Sequence, residues 1–162
     1  MFERESRLHR LMYGYLQMLV KDLDDEQLAI PIGESGNTPA WILAHLALGN
    51  DYALRYLGQP RVASAEWHKR FRPGADPKQD SGPMPSKSEL VEVLEAGHQN
   101  LLEAVKNPDP AKMDEPHNVD LFKDAPIDTV GDLVAHLMTT HLATHLGQLS
   151  AWRRLQGKPA LF

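Results

Sequence analysis

His141 and His145, in the stretch HLATHLGQL, are the residues whose type and spacing point most directly to chemistry. Helix residues four apart are rotated by only ~40° and separated by ~6 Å along the axis, so two imidazoles so placed can converge on one ion. The zinc-binding motif H-E-x-x-H uses the same spacing. Here Leu142, Ala143 and Thr144 fill the interval, so no glutamate stands by as a general base and that protease mechanism does not transfer. By itself H-x-x-x-H is equally a pair of surface or core-satisfied histidines. His141, His145 and a third histidine, His45, differ from the rest because each replaces an apolar residue on a core-facing stripe. Burying imidazoles without partners costs desolvation. One cation would satisfy all three.

The other five histidines sort by position. His9, His68 and His117 fall on polar faces or in connectors and read as solvated. His98 borders an apolar stripe and forms a Glu-x-x-His unit with Glu95, the spacing of di-iron carboxylate bundles. That chemistry needs a second unit and further inward glutamates; the last helical segment has none, so a di-iron site is disfavoured. His136 precedes His141 by five residues, ~140° around a helix, and cannot share an ion with both His141 and His145.

Four segments with helical periodicity would position these side chains. The first runs from Glu3 to Leu23, with Leu8, Leu11, Met12, Tyr15, Leu16 and Leu19 as its stripe. The second opens at Thr38, an N-cap, with Pro39 at the first helical position, and ends near Leu57. Trp41, His45, Leu48 and Tyr52 line one of its faces. The third opens at Ser86, in capping-box spacing with Glu89, and stops at Asn107-Pro108. Leu90, Leu94, Gly97, Leu101 and Val105 continue its stripe. The fourth starts at Asp128 or Thr129; Val134, Met138, His141, His145, Leu149 and Trp152 share a face up to Gly157 and Pro159. No stretch alternates with period two. The expected fold is therefore all-α, a four-helix bundle in one domain spanning residues 1–162.

Its connectors are unusual. Residues 58–85 and 107–127 are rich in proline and long for helix-to-helix links, which usually take about 2–8 residues. The run SAEWHKRF from Ser64 predicts a short helix inside the first. Long connectors of this kind often cover a site or bind a partner.

Composition narrows the function classes. The chain of 162 residues has a net charge of −5 and no basic stripe, which disfavours nucleic acid as a partner. No apolar run reaches the ~18 residues of a membrane span. The charged start MFERESRLHR lacks the apolar core of a secretory signal, so a cytoplasmic location is expected. Cysteine is absent, which removes disulfides, thiolate ligands and a cysteine nucleophile together. A homodimer is the expectation from the prevalence of twofold symmetry.

The fourth-segment run HLATHLGQLSAWRR, the second-segment pattern TPAWILAHLALGNDYALRYLG and the close RRLQGKP together resemble the DinB-like superfamily over nearly the whole chain. The resemblance implies a four-helix bundle holding a divalent metal on three histidines, which fall here on His45, His141 and His145. Three imidazoles leave at least one coordination position open, the arrangement of a catalytic site, and they suit zinc and nickel among other ions. Characterised branches of the superfamily use low-molecular-weight thiols. By resemblance, the chain is a metal-dependent thiol S-transferase or hydrolase acting on a small molecule, with the thiol supplied as cosubstrate. The alternative is a non-catalytic stress-response or binding module whose ion is structural. Gln148 shares a face with His141 and is a candidate to orient a ligand or water. Gly147 would permit close helix approach. Arg153 and Arg154 could attract an anionic substrate, although basic residues in a last turn also complement the helix dipole.

Overall fold

Side-chain caps mark where most of the helices start. In the computed structural model, which describes residues 1–34, 36–75 and 82–161, the helices are α1 (Glu3–Val20), α2 (Asp25–Leu28), α3 (Pro39–Tyr56), α4 (Ala65–Arg70), α5 (Lys87–Ala104), α6 (Pro110–Met113), α7 (Val130–Met138) and α8 (Thr140–Leu155), with a 3₁₀ turn at Asp120–Phe122. Thr38 Oγ1 accepts the Trp41 N–H at 3.1 Å and Pro39 occupies the first turn, which starts α3 where the sequence predicts. Ser86 and Glu89 cap α5 reciprocally, Thr129 and Asp132 cap α7, and Ser64 caps α4. Each side chain satisfies a backbone N–H that has no partner within the first helical turn. Among the described residues there is no strand, only an isolated bridge between Pro116 and Thr129. None of their helices is long and apolar enough to cross a membrane.

Helix α3 sits at the centre. Every residue from Pro39 to Asp51 is buried, and so are Ala53 and Leu54. A helix apolar on all sides needs packing partners on all sides, and α5, α7 and α8 supply them. Helix α1 packs on α7 and α8. One apolar cluster joins Leu16, Leu43, Leu90, Leu149 and Trp152; another joins Leu54, Leu101, Val134 and Met138. Two glycines allow close approach inside this core. A Cβ on Gly49 would lie 3.1 Å from the His141 ring, and one on Gly97 would lie 3.1 Å from Asn50. Gly147, by contrast, faces open space and brings no helix closer.

Three expectations about the helices change. Helix α1 stops at Val20 rather than Leu23, because Asp24 and Gln27 form a capping box that starts α2. Its buried face carries His9, Tyr13, Leu16, Leu19 and Val20, while Leu8 and Leu11 are exposed. The fourth run is two helices, broken at Thr139 (φ −126°, ψ −82°). No proline lies there. The Thr139 N–H bonds the His136 carbonyl three residues back at 3.2 Å, and its Oγ1 donates to the Ala135 carbonyl at 2.6 Å.

Candidate metal centre

The three stripe histidines meet where α3 faces α8. Their ligand nitrogens, one from each ring, all lie within 4.8 Å of one another. His45 Nε2 and His141 Nε2 are 3.1 Å apart, close to the ~3.3 Å edge of a tetrahedron built from metal–nitrogen bonds of ~2.0–2.1 Å.

The surrounding residues hold the rings in the form a ligand needs. His45 Nδ1–H donates to the Phe71 carbonyl at 2.7 Å, which leaves the Nε2 lone pair for the cluster. Trp41 stacks on the same ring at 4.8 Å, nearly parallel. His145 Nδ1–H donates to Gln148 Oε1 at 2.8 Å, freeing its Nε2 in the same way. Metal-binding histidines commonly donate their second N–H to a carbonyl or carboxylate, which fixes tautomer and orientation. The His141 ring is placed by the gap at Gly49.

Electrostatics keep the set neutral. Burial lowers the His141 pKa to about 3, assisted by His145, His45 and His136. Burial also lowers His45, against the opposing bond to the Phe71 carbonyl, and lowers His145, against the bond to Gln148. Three neutral imidazoles at neutral pH could take a cation without first losing a proton. Among the described residues this is the group of His, Asp and Glu side chains close enough together that they could hold a metal ion.

All three rings form part of the wall of a cavity of about 420 Å³. Phe122, Leu133 and Leu137 give it an apolar side, and Tyr52 and Arg55 stand among its polar residues. This is the size and character of a small-molecule site.

A family model of the DinB superfamily matches residues 9–149, a span that includes His45, His141 and His145. The chain belongs to the DinB superfamily. No curated protein matches it.

Other side chains of this DinB-superfamily chain lie differently from their sequence readings. His9, expected at the surface, is buried; its Nδ1–H donates to the Met138 carbonyl at 2.8 Å and its ring stacks on His98 at 4.9 Å. His98 in turn stacks on Tyr13 at 3.9 Å, and the Tyr13 hydroxyl donates to Glu95. Glu95 therefore serves a tyrosine. His117 is also buried: Nε2–H donates to the Ile127 carbonyl at 2.7 Å, and Nδ1 accepts the Val119 N–H at 2.9 Å, folding the second connector. His68 Nε2–H donates to Asp51 at 2.9 Å, and that buried carboxylate also accepts the Val62 and Ala63 N–H groups. His9 and His117 are buried against particular carbonyl acceptors and His98 between the rings of His9 and Tyr13, contacts that spacing alone does not reveal. His136 stays outside the cluster and pairs with Thr140 at 2.6 Å.

Arg153 is not a free cation. It is buried, ion-pairs with Asp22 and donates to the Leu19 carbonyl at 2.8 Å, tying the end of α8 to the end of α1. Trp152 is fully buried and donates to the Ile30 carbonyl at 3.0 Å. Gln148 meets His145 rather than His141.

Sequence reasoning missed Phe71 and Gly49. The length of the first connector was the visible signal for Phe71, since α4 carries its carbonyl back over His45. A glycine inside an otherwise apolar helix was the signal for Gly49.

Proposed function

We propose that this protein is a metal-dependent enzyme acting on small molecules, with His45, His141 and His145 holding a divalent ion such as zinc or nickel. The observation that carries the reading is the cavity of about 420 Å³ against all three rings. A closed structural site would have no use for such a space beside its ligands. A divalent ion bound there supplies Lewis acidity, polarising an electrophile and lowering the pKa of a water or thiol.

The chain's own groups do the rest. The Phe71 carbonyl and the Gln148 amide hold His45 and His145 in the ligand tautomer. Phe122, Leu133 and Leu137 shield one side of the cavity from water, which strengthens electrostatic interactions within it. The chain has no cysteine, so a sulfur nucleophile would come from a low-molecular-weight thiol cosubstrate. S-transfer from such a thiol to a small electrophile is the favoured reaction, and hydrolysis is its counterpart with water as nucleophile. In this reading α1, α3, α5 and the α7–α8 pair constitute a four-helix bundle whose long connectors furnish part of the site.

The test begins with metal content. Purified protein incubated with zinc or nickel should carry one ion per chain, and His45→Ala and His141→Ala should not. A panel of low-molecular-weight thiols and activated electrophiles should then give turnover that disappears with the metal. Wild-type protein that stays metal-free would overturn the proposal. Metal that raises the melting temperature yet supports no turnover would favour a structural ion in a non-catalytic module.

A further inference from the structure

The polar exceptions in the cavity wall carry information about what enters it. Arg55 lines the cavity from the last turn of α3, is exposed, and makes no ion pair or hydrogen bond with any described residue. Tyr52, one turn earlier, lines the same cavity, and its hydroxyl likewise has no hydrogen-bond partner among the described residues. The nearby Tyr56 hydroxyl, by contrast, is already committed to the His117 carbonyl at 3.4 Å. Burial raises the Tyr52 phenol above its ordinary pKa; the charges of Arg72, Arg55 and Arg61 pull it back, and the single opposing carboxylate, Asp51, is already bonded to His68 and to the Val62 and Ala63 N–H groups. Three arginines therefore act on one phenol at the cavity, and none of the three has a carboxylate partner among the described residues. Pro73, next to Arg72, is itself part of the wall.

This is a local excess of positive charge on a chain whose net charge is −5. Arg153 and Arg154 do not produce it; they lie at the end of α8, and Arg153 is consumed by Asp22. A guanidinium offers a planar fork of N–H donors that matches a carboxylate. A neighbouring phenol O–H adds a third donor.

From this placement we infer that Arg55 and Tyr52 form a carboxylate subsite, so that the molecule taken by the cavity is a small carboxylic acid with an apolar body. The apolar part lies along Phe122, Leu133 and Leu137, the reacting group faces the three histidines, and the carboxylate pairs with Arg55. Arg61 and Arg72, whose charges reach the Tyr52 phenol, add to the positive potential there. The inference rests on the proposed metal pocket for its reacting end only; the carboxylate end needs no ion.

That independence sets the experiment. Binding of 3-phenylpropanoate and of its neutral amide, 3-phenylpropanamide, is measured by calorimetry on metal-free and zinc-incubated protein. The acid is expected to bind about tenfold more tightly than the amide in both forms, as for a charge-assisted pair in a partly enclosed site. Arg55→Ala should abolish the preference, Arg55→Lys should restore part of it, and His141→Ala in metal-free protein should keep it. Arg55 is exposed, so unchanged melting temperatures will show that these variants fold. Equal binding of acid and amide, binding of neither, or a preference that survives Arg55→Ala would each overturn the subsite. An acid preference that appears only with zinc and survives Arg55→Ala would place the carboxylate at the ion, supporting the metal and refuting the subsite. A preference in protein that never takes up metal would support the subsite and refute the metal.

Discussion

Gly49→Ala should weaken metal binding while the metal-free fold keeps or gains stability. The added Cβ would lie 3.1 Å from both Cε1 and Nδ1 of His141. Carbon contacts are comfortable at about 3.5–4.0 Å, so the ring must retreat by several tenths of an ångström. Metal–ligand distances tolerate only about 0.2 Å. With an ion bound the ring cannot retreat freely, and the affinity should fall about tenfold, roughly 1.4 kcal/mol. Without an ion no metal bond fixes the ring, and it can shift toward the cavity it lines at the cost of its 3.1 Å contact with His45 Nε2. Gly49 lies inside α3, outside the set of positive-φ glycines, so alanine there gains helix propensity of up to about 1 kcal/mol. The metal-free melting temperature should therefore hold or rise by about 2–4 °C. Competition titration against a chromophoric chelator reads the affinity, and thermal melts with and without zinc read the stability. Wild-type metal affinity in Gly49→Ala would refute the placement of the His141 ring as a ligand. A large loss of metal-free stability would refute the freedom of the ring to move.

Three further outcomes follow from the same geometry. Gln148→Leu removes the acceptor of His145 Nδ1–H at an exposed position; metal affinity should drop about tenfold with little change in the metal-free melting temperature, both read by the same titration and melts. Burial lowers the His98 pKa to about 4, with His9 contributing. A histidine whose folded pKa is lowered contributes stability that is fully present above its unfolded pKa of about 6.5 and is lost as pH falls toward the folded value. Metal-free protein should therefore lose stability between about pH 6.5 and 4, and His98→Phe, which can still stack on Tyr13, should flatten that slope in urea unfolding. Asp22→Ala leaves the buried Arg153 without its carboxylate; Asp22 is half-exposed, so the cost should be about 1–2 kcal/mol rather than the 3–5 of a fully buried pair. Chemical denaturation measures that loss, and metal affinity should not follow it.

Much of the site was legible because its signals are periodic. His45 and the His141–His145 pair stand where apolar residues belong, and a helical repeat shows such replacements directly. The starts of α3, α4, α5 and α7 were legible through Thr38, Ser64, Ser86 and Thr129, each of which caps its helix through its own side chain. What the periodicity hid depends on contacts distant in sequence. His9 looks like a surface histidine until the Met138 carbonyl and the His98 ring meet it. The buried face of α1 was misread for the same reason: the stripe through Leu8 and Leu11 is more apolar, yet the face through His9 and Tyr13 has the partners. The break at Thr139 has no proline or glycine to announce it, and the threonine bonds back to the Ala135 carbonyl just as Thr144 bonds back to Thr140 inside the unbroken α8. The acceptor for His45 comes from Phe71, across the length of a connector.

Direct evidence for one divalent ion shared by His45, His141 and His145 would come from its coordination shell. X-ray absorption on zinc-loaded protein reads that shell. The expected spectrum shows three imidazole nitrogens at about 2.0–2.1 Å and one exchangeable oxygen ligand, with one imidazole lost in each single His→Ala variant that still retains zinc. A spectrum with fewer than three imidazoles, or one unchanged in His45→Ala, would contradict the account.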